Sequence, residues 1–240
     1  MTSIQYSFAR CEQKYILTAR QQQILSGRIR SHVRPDEYGR YSICNLYCDT
    51  DDWRLVRASL EKPLYKEKLR IRSYGVPSAD GTAFVELKKK FDGVVYKRRI
   101  TAELRQIGPF LAGDIPGENF GQIGREIEWF QRLYRARPRV YIGYAREAYA
   151  GIEDPGLRIT FDTRLRWRAT DLSLTAGDYG APLTPDDWAL MEIKLPGACP
   201  LWLSRILSVE RIFPASFSKY GCCFLKNILP AQSKEERIYA

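Results

Sequence analysis

Histidine is almost missing from this chain: His32 is the only one among 240 residues. That scarcity argues against Ser–His triads, phosphohistidine chemistry and histidine-built metal centres. His32 lies between Arg30 and Arg34 on a polar segment and reads as a surface residue. No GxxxxGK[ST] loop is present, which argues against a P-loop nucleotide site. The six cysteines (Cys11, Cys44, Cys48, Cys199, Cys222, Cys223) form no CxxC pair, so a zinc framework is absent. Scattered in this way they read as free thiols of a reducing cytoplasm. No apolar run reaches the ~18 residues of a membrane span, and the opening MTSIQYSFARCEQKY lacks the apolar core of a signal peptide. Repeats, low-complexity tracts and composition breaks are also lacking, which favours a single domain over residues 1–240.

Cations, by contrast, are abundant. Lys plus Arg is 38 against 28 acids, a formal charge of +10, with a pI near 9.3. Such a balance points to a polyanionic partner: nucleic acid, an anionic membrane or a phosphate-rich molecule. Apolar residues at 45% and charged residues at 28% suit an ordinary globular core.

Periodicity predicts a first strand over Tyr6–Ile16, a helix over 18–32 and a turn at RPDEYG. A strand over Tyr41–Asp49 follows, then a short helix to Leu60, capped by Thr50 or Asp51 and stopped by Pro63. Three strand-like runs come next, YKEKLRIRSY, TAFVELKKK and GVVYKRRITA, the last two joined by an Asp92-Gly93 hairpin signal. The stretch 126–137 reads as a helix with Ile127, Phe130, Leu133 and Tyr134 facing a core. Strands resume at 139–149, 156–168 and 188–195, and helices near 200–208 and 216–229 close the chain.

The strands are unusual in their charge. In KEKLRIRSYG, Lys66, Lys68, Arg70 and Arg72 share one face. Glu86, Lys88 and Lys90 share another, as do Lys97 and Arg99 with Val95, and Arg158, Thr160, Asp162, Arg164 and Arg166. Like charges side by side on a sheet repel, by about 1 kcal/mol per pair even in water. A solvated outer face would mix signs. Here cations dominate successive strands while Leu69, Ile71, Leu87, Ile159, Phe161, Ile193 and Leu195 occupy the opposite faces. If helices cover those apolar faces, the charged ones turn toward one another, and closing the sheet makes a polar, basic barrel interior suited to a polyphosphate.

In order along residues 8 to 225, the chain carries ExKY, KLRIR, FVELKKK, VYKRR, YxR, LRITFD, MEIK and FSKYG. This succession resembles the VTC domain, the polyphosphate polymerase branch of the triphosphate tunnel metalloenzymes. The resemblance implies an α+β fold, a closed eight-stranded antiparallel β-tunnel with helices packed around it. It also implies a single VTC-like domain that moves the γ-phosphate of ATP onto a growing polyphosphate chain with Mn²⁺ or Mg²⁺. Relatives on the same fold are triphosphatases, so inorganic or organic triphosphate hydrolysis is the alternative. A non-catalytic polyphosphate- or nucleic-acid-binding module is a further alternative, with no specific nucleic acid expected. The implied partners are ATP and polyphosphate, or another triphosphate, and a membrane protein that would hold the cytoplasmic chain at the inner face of a membrane.

By motif, the resemblance assigns catalytic phosphate contacts to Lys14, Arg70, Arg72, Lys88, Lys97, Arg146, Arg158, Lys194 and Lys219. It assigns supporting substrate contacts to Arg99, Tyr144 and Ser218. Glu192 matches the metal-binding glutamate, with Glu12 and Glu86 as further ligand candidates. The first strand departs from the ExExK pattern of tunnel hydrolases and cyclases: Arg10 stands where the first glutamate would be. One carboxylate fewer weakens a second metal site and leans toward the polymerase branch. An acceptor phosphate that is already anionic needs no general base, which suits a chain nearly without histidine.

Overall fold

The computed structural model describes residues 11–92 and 94–232. Among the described residues nine antiparallel strands dominate: β1 (Cys11–Thr18), β2 (Val33–Asp49), β3 (Tyr65–Tyr74), β4 (Thr82–Phe91), β5 (Val94–Glu103), β6 (Arg137–Gly151), β7 (Arg158–Arg168), the short β8 (Ala181–Pro182) and β9 (Trp188–Leu195). The helices are α1 (Ala19–Arg28), α2 (Arg54–Leu60), α3 (Leu104–Ala112), α4 (Gly121–Tyr134), α5 (Leu201–Val209) and α6 (Lys219–Cys223), the last running on into a π-helical turn, Phe224–Ile228. The sheet order is β1-β9-β7-β6-β2-β3-β4-β5, with β8 paired to β7. Among the described residues no ladder joins β1 to β5, so backbone hydrogen bonds do not close the sheet.

The chain divides into two compact units. The first comprises Met1–Tyr41, Ala145–Arg164 and Thr184–Phe217; the second comprises Ser42–Tyr144, Leu165–Leu183 and Ser218–Ala240. Each has its own core. In the second unit the apolar faces of β3, β4 and β5 (Leu69, Ile71, Val85, Leu87, Ile100) meet Ile107 and Phe110 of α3 and Ile127 and Phe130 of α4. In the first, Ile159, Phe161, Met191 and Ile193 meet Leu25 of α1 and Leu203 and Leu207 of α5. Burying such a side chain stabilises the fold by about 2 kcal/mol. Strand alternation then leaves the charged residues on the face away from α3 and α4 in the second unit and away from α1 and α5 in the first.

Several local expectations need correction. RPDEYG is not a connecting turn: it lies inside the 17-residue β2. Its turn chemistry survives as a kink, with Gly39 at φ 59° and Asp36 Oδ1 accepting from the Tyr38 backbone at 3.2 Å. The first helix is shorter than expected: Thr18 caps it, accepting from Gln21 N. Helix α2 starts at Arg54; Thr50 Oγ1 accepts from Arg54 N at 2.8 Å. Asp51 instead pairs with Arg137 and Arg139. Leu133 does not face a core: it is 60% exposed. At about 100° per residue it falls at the edge of the stripe set by Ile127, Phe130 and Tyr134. His32 is half-buried, stacked on Trp202 at 4.1 Å between ring centroids. Helix α3 was not anticipated, since the hairpin run reads continuously into it. Cys44, Cys48, Cys199, Cys222 and Cys223 are free. Residues 6–10 of the expected first strand, Arg10 included, lie outside the described residues.

Candidate functional site

In the second unit, register assembles a grid of side chains on one face. Arg70 lies opposite Glu86, and Glu86 opposite Arg99; Lys68 lies opposite Lys88, and Lys88 opposite Lys97. On the other side of β3, Asn45 pairs with Arg72 and Tyr47 with Arg70. The cations on β3 therefore continue as rows across three strands.

Glu86 holds this grid together. Its side chain is 1% exposed and it meets four cations. Arg70 Nε donates to Oε2 at 2.7 Å, and Arg70 Nη2 lies 2.7 Å from the same oxygen. Arg72 Nη1 stands 3.7 Å away. Lys97 Nζ is 2.8 Å from Oε1, and Arg99 Nε donates to Oε1 at 2.8 Å while its Nη2 is also paired there. Burial alone would push the Glu86 carboxyl up; Arg70, Arg72 and Lys97 outweigh it and hold the group well below the usual carboxylate range. Lys97 is forced the other way. Desolvation of its head group, together with Arg70 and Arg72, brings it down to about 8 although Glu86 opposes the shift. One carboxylate thus serves four cations, and the excess positive charge is what an incoming anion would neutralise.

Other groups aim the guanidiniums. Arg72 Nε donates to Asn45 Oδ1 at 2.9 Å, and Asn45 Nδ2 donates to the Ile142 carbonyl at 2.9 Å. Arg72 Nη2 donates to the Tyr144 hydroxyl at 3.4 Å, and Arg70 Nη1 donates to that of Tyr47 at 3.3 Å. Burial would raise the Tyr47 hydroxyl, but Arg70, with Lys219 and Arg72, leaves it below the ordinary tyrosine value. Tyr47 stacks on Tyr220 at 4.7 Å. Tyr220 donates to Asp49 Oδ2 at 2.7 Å, and the Asp49 carboxylate also accepts from the backbone of Leu55 and Val56 at 2.9 and 3.0 Å. Lys219 Nζ lies 4.4 Å from the centroid of the Tyr144 ring. Ser218 caps α6 and accepts from Lys68 Nζ at 3.1 Å. Arg70, Arg72, Lys97 and Arg99 are thus brought together directly, Lys88 by register, and Ser218, Lys219 and Tyr144 through short contacts. Asn45 and Tyr47 were missed by sequence reasoning, because only the pairing of β2 with β3 brings them to Arg72 and Arg70.

The first unit carries a different pattern. Glu12 lies opposite Lys194 and Lys14 opposite Glu192, a checkerboard across β1 and β9. Arg158 lies opposite Lys194 and Thr160 opposite Glu192 on β7. Lys194 Nζ is 2.6 Å from Glu192 Oε1, and Lys14 Nζ is 3.6 Å from Glu12 Oε1. Lys14 also donates to the Phe217 carbonyl at 3.2 Å. Arg146 forks onto the buried Asp162, with Nε to Oδ1 at 2.6 Å and Nη2 to Oδ2 at 2.8 Å. The sequence places Asp162 on the charged face of its strand but gives it no role. Arg158 is exposed.

Among the described residues no three His, Cys, Asp or Glu side chains come close enough to hold a metal ion as a protein cage. Glu86 belongs to the second unit, enclosed by cations that would repel a metal. Beside Glu192, however, the Thr160 hydroxyl oxygen is buried with no hydrogen-bond partner among the described residues. One carboxylate and a vacant hydroxyl suit a hard cation that keeps water and takes its remaining ligands from phosphate. Glu192, which also pairs with Lys194, and Thr160 are the residues in the first unit whose oxygens suit a divalent cation arriving with a phosphate chain.

Comparison with solved structures gives the class. HpAC1 from Hippeastrum, a candidate adenylyl cyclase with dominant triphosphatase activity, matches over 87% of this chain and 92% of its own, at 18% identity and a TM-score of 0.54. A structure from Vibrio parahaemolyticus, described as an adenylate cyclase candidate, matches more loosely, at 9% identity over 89% of this chain and 96% of its own, with a TM-score of 0.46. The fold is the α+β triphosphate tunnel fold, an antiparallel sheet with helices around it. Within that class, the model of the VTC domain matches residues 9–226, and the chain belongs to the VTC domain family. A similar protein is vacuolar transporter chaperone complex subunit 4 of Schizosaccharomyces pombe, 25% identical over 75% of this chain. The chain spans 31% of that relative's length.

Proposed function

We propose that this chain is a metal-dependent phosphotransferase that moves the γ-phosphate of ATP onto the end of a polyphosphate chain. The observation that carries the reading is the Glu86 cluster: Arg70, Arg72, Lys97 and Arg99 around one carboxylate on a single sheet face. Family membership supports it.

In this reading Arg70 and Arg72 grip phosphate oxygens by forked hydrogen bonds, pre-aimed by Glu86, Asn45, Tyr47 and Tyr144. Lys88, Lys97 and Lys219 act as point charges, and Lys68 and Ser218 steady the chain beside them. In the first unit, Lys14, Arg158 and Lys194 offer further cations, and Arg146 is a positioned donor braced by Asp162. A terminal oxygen of the acceptor polyphosphate attacks the γ-phosphorus of ATP. The bond from that phosphorus to the β–γ bridging oxygen breaks, ADP leaves with the electron pair, and the polymer grows by one phosphate. The acceptor oxygen is already anionic, so no proton need be removed, and the protein contributes positioning and charge neutralisation. In the first unit, Glu192 and the Thr160 hydroxyl are the residues that would hold Mn²⁺ or Mg²⁺, and such an ion would supply positive charge to phosphate oxygens. Among the described residues no helix is long and apolar enough to cross a membrane.

The test is one incubation with ATP and Mn²⁺, assayed for long-chain polyphosphate and for free phosphate, beside Arg70→Ala and Glu192→Ala. Polymer that disappears in both variants is expected. Free phosphate without polymer would overturn the transfer reading in favour of a triphosphatase.

A further inference from the structure

Along the strand direction the cationic face of the second unit is not uniform. Toward the β3 start it carries only lysines and one valine: Lys68, Lys88 and Lys97 in one row, Lys66, Lys90 and Val95 in the next. Toward the β3 end it becomes aromatic. Phe84 lies opposite Arg72, and Tyr74, the last residue of β3, extends two positions further on the same face. The two rings meet edge to face at 5.6 Å. The Arg99 guanidinium joins them to the cluster: its carbon is 4.5 Å from the Phe84 centroid, and its Nη2 lies 3.5 Å from the Tyr74 hydroxyl while its other contacts reach Glu86. Tyr74 nevertheless remains 49% exposed. Charge holds phosphate, but it does not account for an exposed tyrosine at only one end of the row.

Resting on the phosphate-binding reading above, we infer that Tyr74, with Arg99 and Phe84 behind it, is a stacking platform for the base of a nucleoside triphosphate. Tyr74 is two residues past Arg72 and four past Arg70, about 7 and 13 Å along a strand. A nucleotide whose outer phosphates are held at Arg70 and Arg72 extends its ribose and base over that interval. Aromatic rings and guanidinium planes are surfaces on which bases stack whatever their hydrogen-bonding edge. The asymmetry also orients the two substrates: the donor enters base-outward at the Tyr74 end, and the polymer leaves along the Lys68 and Lys66 rows.

The test compares ATP with inorganic tripolyphosphate, which has the same phosphates and no base. Calorimetric affinities are measured for wild type, Tyr74→Ala and Tyr74→Phe. The platform predicts that Tyr74→Ala weakens ATP about tenfold while tripolyphosphate changes less than twofold. Tyr74→Phe, which keeps the ring and loses the hydroxyl contact to Arg99, retains ATP binding. Tripolyphosphate binding intact with ATP unaffected by Tyr74→Ala overturns this inference and leaves the phosphate site standing. Equal losses of both ligands in Tyr74→Ala also overturn it, because the residue then acts only by placing Arg99. Wild-type protein that binds neither ligand overturns the phosphate site and this inference with it.

Discussion

At the scale of the residue, Glu86 explains how Arg70 and Arg72 of β3 can stand beside Lys97 and Arg99 of β5. Its carboxylate is the counter-charge that Arg70, Arg72, Lys97 and Arg99 share. Removing it should be costly: Glu86→Gln keeps the shape but leaves the cations uncompensated, a change that costs about 3 kcal/mol where a buried pair loses one partner. Chemical denaturation should show that loss in the free protein, and saturating tripolyphosphate should restore part of it, because the ligand supplies the missing charge. Lys97 gives the pH dependence. Its ammonium titrates at about 8 in the fold against 10.5 ordinarily. Between those values the folded state holds fewer protons than the unfolded one, so raising pH through the window stabilises the fold while removing a cation from the site. Tripolyphosphate binding should therefore weaken as pH rises from 7 to 9. Lys97→Arg, which stays charged, should flatten that profile; an unchanged slope in the variant would assign the dependence to another group.

At the scale of the element, much of the architecture was legible because the strands alternate cleanly. The boundaries of β3 and β9 and the β4–β5 hairpin follow from period-two patterning with turn residues at Asp92 and Pro63. What was not legible is long-range partnership. The carboxylate of Glu86 reads equally as metal ligand or ion-pair centre until register sets Arg70 and Arg99 on either side of it. Asn45 and Tyr47 carry no local signal of function, because their role depends on which strand pairs with β2. Asp49 shows a similar dependence. It sits at the end of β2, yet it accepts from the first turn of α2 and from Tyr220, which lies 171 residues away in sequence. Asp49→Ala leaves two buried backbone donors and the Tyr220 hydroxyl without their acceptor. It should cost about 3 kcal/mol in a urea titration and loosen the Tyr47–Tyr220 stack behind Arg70. A loss below 0.5 kcal/mol would mean that water replaces the carboxylate.

At the scale of the whole molecule, the formal charge of +10 makes some polyanion binding inevitable, so attraction alone is weak support for a site. Geometry separates a built site from a general field. A field-driven interaction would fall steeply with salt and lose only a little when any single cation is removed. A forked site should depend on a few residues far more than on the rest. The most direct measurement is the tripolyphosphate affinity of wild type beside Arg70→Ala and Arg105→Ala at physiological salt, with the fold of each checked by circular dichroism. Arg105 lies on α3 in an exposed pair with Asp80 and serves as the control for net charge. We predict a loss of at least about tenfold for Arg70→Ala, the weight of a charge-assisted hydrogen bond, and less than twofold for Arg105→Ala. Equal, small losses in two folded variants would contradict the assignment of the β3–β5 face as a phosphate-binding site.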